Sequence, residues 1–121
     1  MTTVLIIGAS RGIGLELVRQ YRAEGCRVIA TIRDAAAQER LEALGAEVRM
    51  VDVAQPASVS GLAWLLDDEK INLALYVAGI ICRPDARTPP TQPDFDAVMH
   101  TNVLGAMQVL PQVAPLVEAV G

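Results

Sequence analysis

The residues Val4-Leu5-Ile6-Ile7-Gly8-Ala9-Ser10-Arg11-Gly12-Ile13-Gly14 decide how the rest of the chain is read. Four consecutive apolar residues closed by a glycine suit a short strand covered on both faces. Directly beyond the loop, Ile13, Leu17, Val18 and Tyr21 recur at helical spacing beside Glu16, Arg19 and Gln20, which describes a helix with one apolar face. Gly25 then stands where a left-handed residue closes a helix. A strand that turns through glycines into a helix is the first half of a βαβ unit.

The alternation continues along the chain. Residues 27–31, 48–51 and 73–77 read as three more strands. The second helix runs from about residue 35 through Leu41 and Leu44 to Gly45. The third starts at Pro56, a residue suited to a first helical turn, and carries Val59, Leu62, Ala63, Leu65 and Leu66 to Asp67. Four prolines within residues 83–93 mark a loop. From Asp94 onward Phe95, Val98, Met99, Asn102, Val103 and Met107 outline a last helix that continues toward Val120. Each of Pro111 and Pro115 removes one backbone hydrogen bond from it, so a bend is expected at 108–111. Strands alternating with helices predict a doubly wound α/β fold with a parallel sheet, a Rossmann arrangement.

Composition narrows the possible functions. A chain of 121 residues, 52% of them hydrophobic, supports one core and one domain, residues 1–121. A net charge of −4 and 3% aromatic residues leave neither a basic stripe nor a stacking platform, so nucleic acid is not an expected partner. Cys26 and Cys82 lie far apart, and His100 has no neighbour at metal-ligand spacing. Reduced thiols and no metal are expected. No basic segment precedes residues 4–7, and Arg, Gln or Pro interrupts every apolar stretch before it reaches membrane-spanning length. A cytoplasmic protein is expected, with no membrane partner.

The loop itself carries the chemistry. A glycine-rich turn from a strand into a helix aims backbone N–H groups and the positive end of the helix dipole at an anion. Gly8 permits the tight turn, Gly12 lets a diphosphate approach the backbone, and Gly14 lets the helix pack closely on the strand. The spacing G-x-x-x-G-x-G differs from G-x-G-x-x-G, and no Lys-Ser or Lys-Thr follows it as a nucleotide-hydrolysing P-loop requires.

These residues resemble the cofactor loop of the short-chain dehydrogenase/reductase family, and the likeness extends over the whole chain. Within Gly8-Ala9-Ser10-Arg11-Gly12-Ile13-Gly14, the resemblance implies cofactor contacts at Gly8, Ser10, Arg11, Gly12, Ile13 and Gly14. Asp52-Val53, after the third strand, matches the family's adenine-contacting position. Ala78-Gly79 matches the end of its Asn-Asn-Ala-Gly motif, where the backbone passes the cofactor ribose. Asn102 matches its catalytic-site asparagine. Each position also has a structural use of its own: Asp52 suits a turn within its loop, Ala78-Gly79 a strand end, and Asn102 a solvated helix face. Gly-Ala-Ser-Arg-Gly-Ile-Gly and Ala-Thr-Ile-Arg-Asp look most like the family's small carbonyl reductases. The family's strand order implies four strands arranged 3-2-1-4.

Which nicotinamide cofactor the resemblance implies turns on the end of the second strand. NAD-binding folds of this type place an acidic residue there for the ribose 2′-hydroxyl. Ile32 occupies that position, Arg33 follows, and Arg11 sits in the phosphate loop. Two guanidinium groups suit a 2′-phosphate, so NADP(H) is expected over NAD(H). A one-residue shift would instead bring Asp34 to the ribose.

Two departures from the family pattern stand out. Tyr76-Val77 replaces the two asparagines, which puts in doubt the hydrogen-bond bridge that the first of them provides. Tyr-x-x-x-Lys, the family's proton donor and the lysine that tunes it, has no match: Tyr21 and Tyr76 are followed four residues later by Gly25 and Ile80, and Lys70 is the sole lysine. A chain truncated before a fifth strand is expected, representing the cofactor half of a hydride-transferring oxidoreductase. The resemblance implies a small carbonyl or alcohol substrate and a homo-oligomer in the full-length form. The alternative is a catalytically silent NADP(H)-binding or interaction module.

Overall fold

Alternate side chains of β1 (Thr3–Ile7) enter two different cores. Val4 and Ile6 pack with Val18, Val28, Ala30, Ile32 and Leu41, whereas Leu5 and Ile7 pack with Ile29, Val59, Leu62, Val109 and Val113. All five residues of the strand are buried. The uninterrupted apolar run of the sequence is thus the consequence of a sheet covered on both faces. Each of these large aliphatic side chains contributes about 1.5–3 kcal/mol by leaving water.

The computed structural model describes residues 1–80 and 87–118. Three further strands, β2 (Arg27–Ile32), β3 (Glu47–Met50) and β4 (Leu73–Tyr76), pair in parallel with one another or with β1 to give the order β3-β2-β1-β4. This is the expected Rossmann arrangement. The helices α1 (Gly12–Ala23) and α2 (Gln38–Ala43, preceded by a 3-10 turn at Ala35–Ala37) supply the first core. The second core lies under α3 (Pro56–Ser60), α4 (Leu62–Leu65) and α6 (Gly105–Glu118). A helix α5 (Gln92–Met99) precedes α6.

Glycine closes α1 and α2 as the sequence suggests. Gly25 (φ 83°) and Gly45 (φ 89°) are left-handed. Cys26 N–H donates to the Tyr21 carbonyl and Ala46 N–H to that of Leu41, the six-to-one bond of a glycine-terminated helix. The Arg22 guanidinium donates to the carbonyls of Cys26 (2.8 Å) and Leu44 (3.2 Å), so one side chain serves both helix ends.

Two helices depart from expectation. The third breaks at Gly61 into α3 and α4, because the Gln112 amide reaches in from α6: it donates to the Val59 carbonyl (2.8 Å) and accepts from Ala63 N–H (3.2 Å), satisfying groups that the break frees. The last helix begins at Gln92, capped by the Thr91 hydroxyl accepting from Asp94 N–H at 3.2 Å. Its irregularity is a π-helical turn at His100–Leu104, upstream of the bend expected at 108–111, while α6 continues through Pro111 and Pro115. Both prolines are exposed and one turn apart, so the carbonyls they leave unbonded lie on the outer side, where water can reach them. Cys82, the first part of the expected loop at 83–93 and the helix end toward Val120 lie outside the described residues. Among the described residues no helix is long and apolar enough to cross a membrane.

Candidate functional site

The chain passes from β3 to β4 across β1, so the strand order reverses between β1 and β4. In a parallel sheet such a reversal opens a crevice beyond the strand ends. A cleft of about 260 Å³ lies there, lined by residues that follow all four strands. Gly8, Ser10, Arg11, Gly12, Ile13 and Gly14 come from the loop after β1, and Arg33 follows β2. Asp52 and Val53 follow β3, and Ala78 and Gly79 follow β4. The structure therefore brings together every sequence-predicted site residue except Asn102, whose neighbour Thr101 is at the wall.

The three loop glycines have three different reasons to lack a side chain. Gly8 is left-handed (φ 94°), and a Cβ on it would lie 2.5 Å from the Ala78 backbone. A Cβ on Gly14 would lie 2.0 Å from the Gly8 carbonyl oxygen, so α1 sits directly on the turn. Gly12 is also left-handed (φ 59°), yet nothing lies within 4 Å of where its Cβ would be. Open space at that glycine faces the N-terminus of α1, which has no side-chain cap and no acidic residue in its first turn. The leading amides of a helix carry a partial positive charge and need acceptors. An anion of diphosphate size suits this cradle.

Three guanidinium groups surround the loop. Arg11 and Arg33 are exposed and line the cleft. Arg40, from α2, donates to the Ser10 carbonyl at 2.5 Å. Asp34 turns to its own chain, where it caps the 3-10 turn by accepting from Ala36 N–H at 2.9 Å. Asp52 likewise accepts from Ala54 N–H (3.0 Å), while its own N–H donates to the Ser58 hydroxyl (2.8 Å), so its loop turn and its place in the cleft wall coexist.

On the far wall the π-helical turn holds the loops. The Asn102 amide accepts from Ile80 N–H (2.8 Å) and donates to the Ile80 carbonyl (2.9 Å), pairing with that backbone as a neighbouring strand would. A Cβ on Gly79 would approach the Asn102 side-chain oxygen to 3.3 Å, so glycine gives this amide room. His100 Nε2 lies 3.1 Å from the Ala54 carbonyl. The Tyr76 hydroxyl donates to the Thr101 carbonyl at 3.1 Å, and burial pushes its ionisation up from the ordinary phenol value. The position that put the asparagine bridge in doubt thus carries a bridge of its own.

Sequence reasoning missed Thr31, Arg40 and the tie from Tyr76 to Thr101. Thr31, which is buried, accepts from Gly8 N–H through its hydroxyl (3.1 Å) and from Ala9 N–H through its carbonyl (2.9 Å). A hydroxyl among the apolar residues that follow Arg27 in β2 was the available signal. No local signal marks Arg40, which reads as one more exposed charge on a helix.

Fold and cleft together define a Rossmann-type protein with a glycine loop at its switch point. The chain belongs to the short chain dehydrogenase family, whose model matches residues 2–120. It is 33% identical over 124 residues to an NADPH-dependent pterin aldehyde reductase of Arabidopsis thaliana, covering 94% of this chain and 50% of the relative. It is 32% identical to the 1-hydroxy-2-glutathionyl-2-methyl-3-butene dehydrogenase of Rhodococcus sp. (strain AD45), covering 98% of this chain and 52% of that one. A Burkholderia multivorans structure described as a short-chain dehydrogenase/reductase with bound NADP superposes with a TM-score of 0.83 at 27% identity, over 95% of this chain and 53% of its own. The chain thus spans about half the length of these relatives.

Proposed function

We propose that this chain is the NADP(H)-binding region of an oxidoreductase that transfers hydride between the cofactor and a small carbonyl compound or alcohol. The observation that carries this reading is the open, left-handed Gly12 at the uncapped start of α1, with Arg11 and Arg33 lining the same cleft. The amides of the loop hold the diphosphate, and the two guanidinium groups hold the 2′-phosphate. Asp34 is engaged with Ala36 and is absent from the cleft lining, which supports the arginine arrangement over a ribose-binding carboxylate. Asp52 and Val53 flank the adenine, Ala78 and Gly79 pass the ribose, and Asn102 fixes the wall beyond them. Bound there, the nicotinamide supplies or accepts the hydride. The NADPH-dependent relative and the NADP-bound structure support the choice of cofactor.

Calorimetric titration of the protein and of Arg33→Ala with NADP+ and NAD+ tests this. A hydrogen bond to a charged group contributes about 1.5–3 kcal/mol, so the variant should bind NADP+ about tenfold to a hundredfold more weakly and NAD+ almost as before. An unchanged ratio of the two affinities would remove the 2′-phosphate assignment.

A further inference from the structure

The π-helical turn at His100–Leu104 has an identifiable wedge. In an α-helix the Thr101 carbonyl would accept the Gly105 N–H, four residues on. Here Gly105 N–H donates to His100, five residues back, and the Thr101 carbonyl accepts the Tyr76 hydroxyl instead, at 3.1 Å. Gly105 completes the interlock: a Cβ on it would lie 2.7 Å from the Tyr76 oxygen. A side chain inserted into the helical ladder is a recognised cause of such irregularities, and π-helical turns gather at functional sites.

We propose that Tyr76 is a positioning residue: its hydroxyl takes the place of the Gly105 amide on Thr101, holds the π-helical register, and so delivers the Asn102 amide to the backbone of Ile80 at the cleft. The geometry makes the dependence concrete. One residue of register separates the two helical forms, and a helix turns by about 100° per residue. Return to the α pattern would therefore rotate Thr101 and Asn102 relative to one end of the helix and separate Asn102 from Ile80. Thr101 and Ile80 both line the cleft, so the far wall would change shape. The effect on cofactor affinity rests on the NADP(H) reading above; the effect on the helical register does not.

Tyr76→Phe keeps the ring and removes only the hydroxyl. In proton–nitrogen correlation spectra of the free protein, the Asn102 side-chain amide and the Ile80 backbone amide should shift and exchange with solvent faster, and NADP+ affinity should fall about threefold to tenfold, the scale of one neutral hydrogen bond. Gly105→Ala, which crowds the same hydroxyl, should give the same signature, and the double variant should show less than the sum of the two. It serves as the readout if Tyr76→Phe does not fold. Gln112→Ala, which loosens α3, α4 and α6 away from the π-helical turn, is the control and should leave the Asn102 signals in place. Unchanged Asn102 and Ile80 amides in Tyr76→Phe would overturn the proposal, as would an equal response to Gln112→Ala. If the unaltered protein binds no NADP+, the cofactor reading fails while the amide signals still judge Tyr76.

Discussion

Thr31 receives Gly8 and its neighbour across the parallel pair β1–β2: the Gly8 amide donates to the Thr31 hydroxyl at 3.1 Å, and the next amide, of Ala9, donates to the Thr31 carbonyl at 2.9 Å. The glycine loop is therefore hung from the second strand as well as from the first. Thr31→Val keeps the shape and removes the acceptor, leaving the Gly8 amide without it. The cost should be about 1–3 kcal/mol in chemical denaturation, accompanied by weaker NADP+ binding. A variant as stable and as tight-binding as the parent would show that the hydroxyl is dispensable.

The loop glycines should separate by phenotype. Gly14→Ala drives a methyl into the Gly8 carbonyl at 2.0 Å and should prevent folding or cost about 3 kcal/mol or more. Gly12→Ala meets open space and carries only the left-handed penalty of about 1–2 kcal/mol. It should fold, with a methyl where the diphosphate is proposed to lie. Melting temperatures and NADP+ titrations on both variants check this; equal stability loss would refute the distinction.

Arg40 should act on both cofactors alike. Its guanidinium holds the Ser10 carbonyl at 2.5 Å and does not line the cleft. Arg40→Ala should therefore weaken NADP+ and NAD+ binding by a similar factor, about twofold to tenfold, in contrast to Arg33→Ala. A selective loss of NADP+ would instead place Arg40 at the 2′-phosphate.

Acid should loosen the opposite end of the sheet. Arg27 bridges Glu47 (2.5 Å) and Glu69 (2.7 Å), and its hydrogen bonds hold both carboxyls below their ordinary value of 4.5. Because the folded values are depressed, this contribution is complete above pH 4.5 and is lost as pH falls through them. The groups are partly exposed, so the network contributes on the order of 1 kcal/mol. Arg27→Gln should lower the melting temperature at pH 7 and flatten its fall as the pH drops below 4.5.

Local patterns in the sequence sufficed for much of this. β1 was legible because two covered faces demand an unbroken apolar run, and the cleft because glycines between a strand and a helix have few other uses. Gly25 and Gly45 marked helix ends through backbone geometry alone. What was not legible depends on partners distant in sequence. Arg40 and Ser10 are 30 residues apart, Tyr76 and Thr101 are 25 apart, and Thr31 meets Gly8 across 23. The break at Gly61 belongs to the same class, because Gln112, which satisfies it, lies on another helix. The prolines of α6 stand inside a continuous helix for a related reason: their cost is small on an exposed face, and exposure is a property of the assembled fold.

The sheet has two unlike rims. β3 carries Glu47 and Arg49, ionised side chains that discourage another strand from adding alongside. β4 carries Leu73, Ala74, Leu75 and Tyr76, with no charge among them, and the nearby helices expose Met99, Val103, Met107 and Leu110. The β4 rim is thus an apolar edge that another strand can extend, whereas the charges on the β3 rim disfavour any such addition.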